Sequence, residues 1–314
     1  MYLFLVLGCA GAPPVDDTDT DTDTDTDADT DAETDTDTDT DTDADPPWIA
    51  VSSYFAGTVT LFEPVGATIV AVLDAPGAQT VTVAPDGAWI VCAEAVNEVR
   101  RFDPADLSVW DVLVTEDPDT AALEGGGLDG PTAAAFGPDG LLYVSSFNDD
   151  RVLRFTAEGV YLDTFVAAED GGLDGPDISL VWGPDGDLYV PSWYGSAVIR
   201  YDGATGALVE TVMSAADGLS APRVLVFDDA GTLWATSNGN DQVLRRYADG
   251  TVGTFAEVRS AAGMAFDGPD TVLVASAATD AVRSYDRATG ETLGLFTNDD
   301  SLDGLTAVTL LPAP

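Results

Sequence analysis

YVSSFNDDRVLRF, residues Tyr143 to Phe155, is one of six copies of a single element. The others read AVSSYFAGTVTLF from Ala50, IVCAEAVNEVRRF from Ile90, YVPSWYGSAVIRY from Tyr189, WATSNGNDQVLRRY from Trp234 and LVASAATDAVRSY from Leu273. Nine residues after each start stands a valine: Val59, Val99, Val152, Val198, Val243 and Val282. Successive starts lie 40, 53, 46, 45 and 39 residues apart, the period of one four-stranded propeller blade. Short apolar and aromatic runs separated by turn residues give an all-β chain with no helical period.

Each blade parses into strands A to D. Strand A carries VTVA, AAAFG, LVWG, VLVF or GMAF, and a tight turn of the APDG, GPDG, DDAG or DGPD kind follows it. Pro and Asp start such turns and Gly supplies the positive φ. The YVSS segment is strand B and the VLRF segment strand C, with a second turn such as Asp202–Gly206 or Asp286–Gly290 leading to strand D. Blade 5 carries one residue more before its aromatic, Tyr247, which reads as a β-bulge. The repeat enters at strand B, Trp48 to Ser53, and ends on a strand A pattern, Leu305 to Leu311. The last strand is therefore expected to complete the first blade and close a six-bladed ring without a free sheet edge.

Upstream of the repeat, the chain opens MYLFLVLGCAGAPP. The apolar run ending Val6-Leu7-Gly8-Cys9 resembles the lipobox of bacterial lipoproteins, which implies export, a lipid on Cys9 and a place at the outer membrane or cell surface. It lacks the basic residues that normally precede such a run, so the true start is expected upstream of Met1. With Cys9 acylated, Cys92 is the one remaining thiol and no disulfide forms. Residues 10–47 are dominated by Asp-Thr alternation, which cannot bury apolar area and repels itself along the chain, so a disordered spacer is expected. Thirty such residues reach roughly 100 Å when stretched. The D-x-D-x-D pattern lacks the Gly and closing Glu of a calcium loop, and condenses cations loosely instead. The expected organisation is a signal segment at 1–9, a linker at 10–47 and a monomeric propeller at 48–314.

Composition removes several functions. All 11 basic residues are arginine, and the chain has neither lysine nor histidine. Of the 56 acids, 16 lie between Asp16 and Asp45, which leaves 40 against 11 arginines elsewhere. Such a surface repels nucleic acid and anionic lipid. Without histidine there is no Ser-His-Asp or Cys-His nucleophile, no imidazole base and no His-ligated zinc. Cys92, in the apolar strand WIVCA, reads as a small buried hydrophobe.

The stretches GPDGLLYVSSFNDDRVLRF and GPDGDLYVPSWYGSAVIRYDGATGALVETV resemble NHL-repeat propellers, as does the G-L-D-G-P lead-in at Gly127–Pro131 and Gly172–Pro176. More distantly the chain is similar to streptogramin lyases and gluconolactonase-type propellers. The lyases use a histidine base that this chain lacks. The lactonase likeness implies a Ca²⁺ over the central channel, held by Glu, Asn and Asp.

A meander puts the A–B and C–D turns on one face and the B–C and D–A loops on the other. The second face carries the long segments, Thr115 to Pro131, Ala167 to Asp177, Ser214 to Arg223 and Thr297 to Gly304, so the site is expected there. Five positions before each repeat valine stand Tyr54, Glu94, Phe147, Trp193, Asn238 and Ala277. Two chemistries compete for this face. Glu94, Asn148, Asp177 and Asn238 offer oxygen ligands for a Ca²⁺ that would polarise a lactone or ester carbonyl; Asn and Asp in such loops also cap turns through backbone hydrogen bonds. Alternatively Tyr54, Phe55, Phe147, Trp193 and Tyr194, with Arg223 nearby, form an aromatic patch for an extracytoplasmic protein, peptide or glycan. Recognition or scaffolding is the function this pattern favours, with a calcium-dependent hydrolase as the alternative.

Overall fold

The computed structural model describes residues 46–115 and 125–313. The leader with Cys9, the Asp-Thr segment as far as residue 45, and residues 116–124 of the loop after blade 2 lie outside the described residues.

Six four-stranded antiparallel sheets form a six-bladed propeller. The inner strands are Leu305–Leu311, Ala78–Val83, Pro131–Phe136, Val181–Trp182, Pro222–Phe227 and Ala261–Asp267, for blades 1 to 6 in turn. Blade 1 is closed as the sequence requires. Its inner strand Leu305–Leu311 pairs with Trp48–Ser53 in the register Trp48↔Leu311, Ala50↔Thr309, Ser53↔Leu305. Thr58–Phe62 and Ile69–Asp74 complete the sheet.

The core lies between blades rather than within one. Alternate side chains of each sheet face the preceding and following blade, so every blade contributes to two apolar layers. Leu61, Leu73 and Leu311 of blade 1 pack with Trp89, Val91 and Phe102 of blade 2. The other five seams repeat this arrangement. All six repeat valines are fully buried, each worth about 1.5–3 kcal/mol of burial, which explains why their spacing is fixed. Aromatic rings on strand B cross three seams: Tyr143 meets Trp182 edge-on at 5.0 Å, Tyr189 meets Phe227 at 4.9 Å, and Trp234 meets Phe266 at 5.2 Å. Their polar ends reach back to the aspartate of their own A–B turn, Asp139, Asp185 and Asp228, at 3.0, 2.9 and 2.9 Å. The turn Asp thus locks the hairpin and satisfies the buried ring's polar atom together. Cys92 is buried at one seam, and desolvation pushes its thiol up to about 12, so it stays protonated and inert.

One local expectation fails. Tyr247 is not the product of a bulge: strands Leu233–Ser237 and Gln242–Arg246 pair without a break, from Leu233↔Arg246 to Ser237↔Gln242. Arg246 occupies the register place that Phe155 holds in blade 3, opposite the first residue of strand B. Tyr247 opens the C–D turn, its N–H donating to the Thr251 carbonyl at 2.9 Å, just as Thr156 donates to Val160. The aromatic has moved one place along a strand of unchanged length. Irregular register occurs instead on the outer pairing, immediately after the repeat valine in blades 2 to 6.

Because Trp48–Ser53 has its inner partner only in the last strand, deleting the residues after Leu302 is expected to abolish cooperative unfolding. Scanning calorimetry checks this, and a truncated chain that still melts in one sharp transition would break the closure account.

Candidate functional site

Each blade builds the same corner before strand A. A lead-in residue with positive φ, Gly304, Gly77, Gly130, Gly175, Ala221 or Ser260, turns the chain inward. Its carbonyl accepts the backbone N–H of the first residue after strand B, respectively Tyr54, Glu94, Phe147, Trp193, Asn238 and Ala277, at 2.9 to 3.2 Å. In every blade but the fifth, the residue held by this bond lines the cavity described below. Gly is the favoured occupant for a second reason besides φ: a Cβ on Gly130 would stand 2.8 Å from the Asn148 amide, and one on Gly304 only 2.4 Å from the Phe55 ring.

The N–H of the same lead-in residue points sideways to the preceding blade. There the left-handed residue closing the B–C turn accepts it: Asn97 from Gly130 at 2.8 Å, Asp150 from Gly175 at 2.7 Å, Ser196 from Ala221 at 3.3 Å, Asp241 from Ser260 at 2.7 Å, and Asp280 from Gly304 at 2.8 Å. The Asn and Asp of these loops therefore staple blades together. Only the blade 1 to blade 2 seam lacks this side-chain link, because Gly57 holds the equivalent place.

Two tiers of repeat positions converge on one cavity of about 580 Å³ on the B–C face, over the channel. The rim contains Tyr54, Glu94, Phe147 and Trp193, with Phe55 and Tyr194 one residue further on. The floor holds the residues two places after each lead-in turn: Thr306, Gln79, Thr132, Asp177 and Arg223. Alanines stand at both blade 6 places, Ala262 in the floor phase and Ala277 in the rim phase, so blade 6 presents no large side chain. Trp193 and Tyr194 lie in a turn, not a strand, so both rings face the cavity instead of alternating across a sheet.

In the floor, Arg223 Nε donates to Asp177 Oδ2 at 2.8 Å while its guanidinium lies 5.1 Å over the Trp193 ring. Asp177 is almost fully buried, and desolvation raises its carboxyl above the usual range against the pull of Arg223. Beside it Glu94 accepts from the Gln79 amide. Burial is the largest influence on Glu94 and pushes it up; the Gln79 bond opposes this, Asp177 adds to it, and Arg223 offsets part. The charge of Glu94 in turn raises the Tyr54 phenol, with burial second.

Of the four candidate calcium ligands, Glu94 and Asp177 line the cavity. Asn148 instead donates to Asp129 at 2.9 Å, and Asn238 to the Ala261 carbonyl at 3.1 Å. Among the described residues no three or more His, Cys, Asp or Glu side chains are grouped to hold a metal. A cation already sits on Asp177, so the residues present do not fit a Ca²⁺ that needs six to eight oxygens. All five aromatic and cationic candidates, Tyr54, Phe147, Trp193, Tyr194 and Arg223, do come together. Sequence reasoning missed Gln79, Thr132 and Thr306. Their common phase, two residues after the lead-in turn, would have found them.

No family model matches the chain, and no curated protein matches it. Solved structures share its fold. A chain of a nidogen/laminin complex is 14% identical, with TM-score 0.70 over 85% of this chain and 98% of that one. A streptogramin B lyase is 13% identical, with TM-score 0.59 over 86% and 91%. Virginiamycin B lyase from Staphylococcus aureus is 12% identical, with TM-score 0.58 over 87% and 94%. At these identities the likeness is one of six-bladed architecture.

Replacing Arg223 with Met strands Asp177 in the floor without its cation and should cost about 3 kcal/mol of stability. Adding Asp177→Asn removes the stranded charge and should restore most of that loss. Paired melting curves check it; a single variant as stable as the parent would deny the ion pair its structural role.

Proposed function

We propose that this chain is a recognition module that reads an extracytoplasmic protein, peptide or glycan with the pocket above its channel. The observation that carries this is the convergence of five rings and an ion-paired floor on one cavity, built from places the repeat itself fixes. A rigid ring with its variable residues on one face holds a binding surface preorganised, so little ordering entropy is lost on binding. Aromatic faces give contact area at low entropic cost, and the rim has them on blades 1, 3 and 4. The lead-in and the blade motifs support a repeat of the NHL kind, acting as a monomer.

Export and anchoring belong to the same proposal. Support comes from Leu7-Gly8-Cys9 and the acidic Asp-Thr segment that follows, a composition suited to holding a domain clear of a surface. Among the described residues no helix is long and apolar enough to cross a membrane, so the lipid on Cys9 is the anchor proposed. Cys9→Ser should move the protein from the membrane fraction to the soluble one; unchanged fractionation would end the lipoprotein proposal.

Binding by the full chain is tested against arrayed peptides and oligosaccharides. Trp193→Ala should remove binding at least tenfold while leaving the melting temperature near that of the parent. A large fall in melting temperature would return Trp193 to a packing role, and binders indifferent to the substitution would place recognition elsewhere.

A further inference from the structure

Resting on the pocket reading above, we propose that the ligand group the pocket takes is a primary ammonium, as on a lysyl side chain or an alkylamine. The cavity lining carries two acidic side chains and one basic one. Two carboxylates, Glu94 and Asp177, face one guanidinium, which is ion-paired through Nε to Asp177 and lies over the Trp193 ring. Glu94 receives only the neutral amide of Gln79. The other end of that amide, Gln79 Oε1, is buried and has no hydrogen-bond partner, although Gln79 is only 3% exposed. A buried acceptor without a donor and a desolvated carboxylate without a cation both carry a free-energy cost. A ligand that brings N–H donors and a positive charge relieves the two together.

The rest of the wall agrees. Tyr54, Phe55, Phe147 and Tyr194 line it with aromatic rings, whose faces attract a cation. An anionic ligand drawn to the remaining N–H groups of Arg223 would sit beside both Asp177 and Glu94. A quaternary ammonium satisfies the rings but brings no hydrogen for Gln79 or Glu94. At longer range the 40 acidic residues outside the Asp-Thr segment outnumber the 11 arginines, with no lysine or histidine in the chain, which draws cations towards the propeller and speeds their arrival.

Binding of this kind is coupled to protons. The groups facing Glu94 are Gln79, Asp177, Arg223, Asp129 and Tyr54; burial is the largest influence and raises its carboxyl, Asp177 and Asp129 add to that, and Gln79 and Arg223 oppose it. Since the ammonium binds the ionised form, affinity should rise with pH through the elevated Glu94 titration and level off above it.

The test uses the full chain, tryptophan fluorescence, and a blocked Gly-Gly-Lys-Gly-Gly peptide. The same peptide with N-acetyl-lysine, the same with trimethyllysine, and n-butylamine complete the set, all at high salt to screen the acidic segment. Lysine peptide binding should fall at least tenfold on acetylation, on trimethylation and in Glu94→Gln. The melting temperature of that variant at neutral pH should be equal to or above the parent's. Butylamine bound with the same Glu94 dependence would identify a small amine as sufficient; binding by the lysine peptide alone would point to a peptide. Equal binding of acetylated and free lysine, or indifference to Glu94→Gln, overturns the ammonium assignment. If in that case a neutral peptide or sugar still binds in a Trp193-dependent way, the recognition pocket survives; if no binder depends on Trp193, both fall.

Discussion

The structure depends on a corner repeated six times, where one left-handed residue before strand A makes two backbone hydrogen bonds in different directions. Its carbonyl holds the end of strand B in the same blade, and in five blades its N–H is held by a side chain of the preceding one. The first bond shapes a blade; the second joins it to its neighbour. Apolar layers between blades supply most of the burial energy, but the hydrophobic effect is non-directional. Directional bonds at the corners set how far one blade rotates against the next, and so whether six of them close a circle.

The same corner makes the site. The residue two places after the turn lines the cavity in blades 1 to 5, and the residue just after strand B lines it in every blade but the fifth, whatever the side chain. The fold can therefore hold almost any chemistry there. This chain places an ion pair, a desolvated Glu94 with its amide partner, aromatic rings on three blades and bare methyl groups on a fourth. The pocket is asymmetric within a nearly symmetric frame, as required to hold a ligand that has no six-fold symmetry of its own.

What was legible in the sequence follows from this division. Val59, Val99 and their four equivalents declare the fold because each fills the same fully buried place, where few other shapes fit. The rim was legible by counting back from those valines, which located Tyr54, Glu94, Phe147 and Trp193. The floor was only half seen. Asp177 and Arg223 are charged and stand out, whereas Gln79, Thr132 and Thr306 look like ordinary strand residues until the turn two places earlier is recognised as the repeat's true origin. Asn148 and Asn238 misled because an amide that binds a backbone group is indistinguishable by composition from one that binds an ion. Tyr247 misled because counting to an aromatic assumed that the aromatic marks the strand's end, when it is the turn closed by Tyr247 and Thr251 that does.

Closure by the final strand fixes where the two ends of the propeller leave it. Trp48 and Leu311 are paired neighbours at the A–B turn end of blade 1, while Ser53 and Leu305 lie at the other end, next to the pocket. Both ends of the propeller, Trp48 and Leu311, thus lie on the side turned away from the cavity. An affinity tag, a fluorescent domain or a solid support joined at either end leaves the mouth of the pocket open. A circular permutant joining those ends by a short linker and cut in an exposed turn of the back face would present the same binding surface from a different starting point.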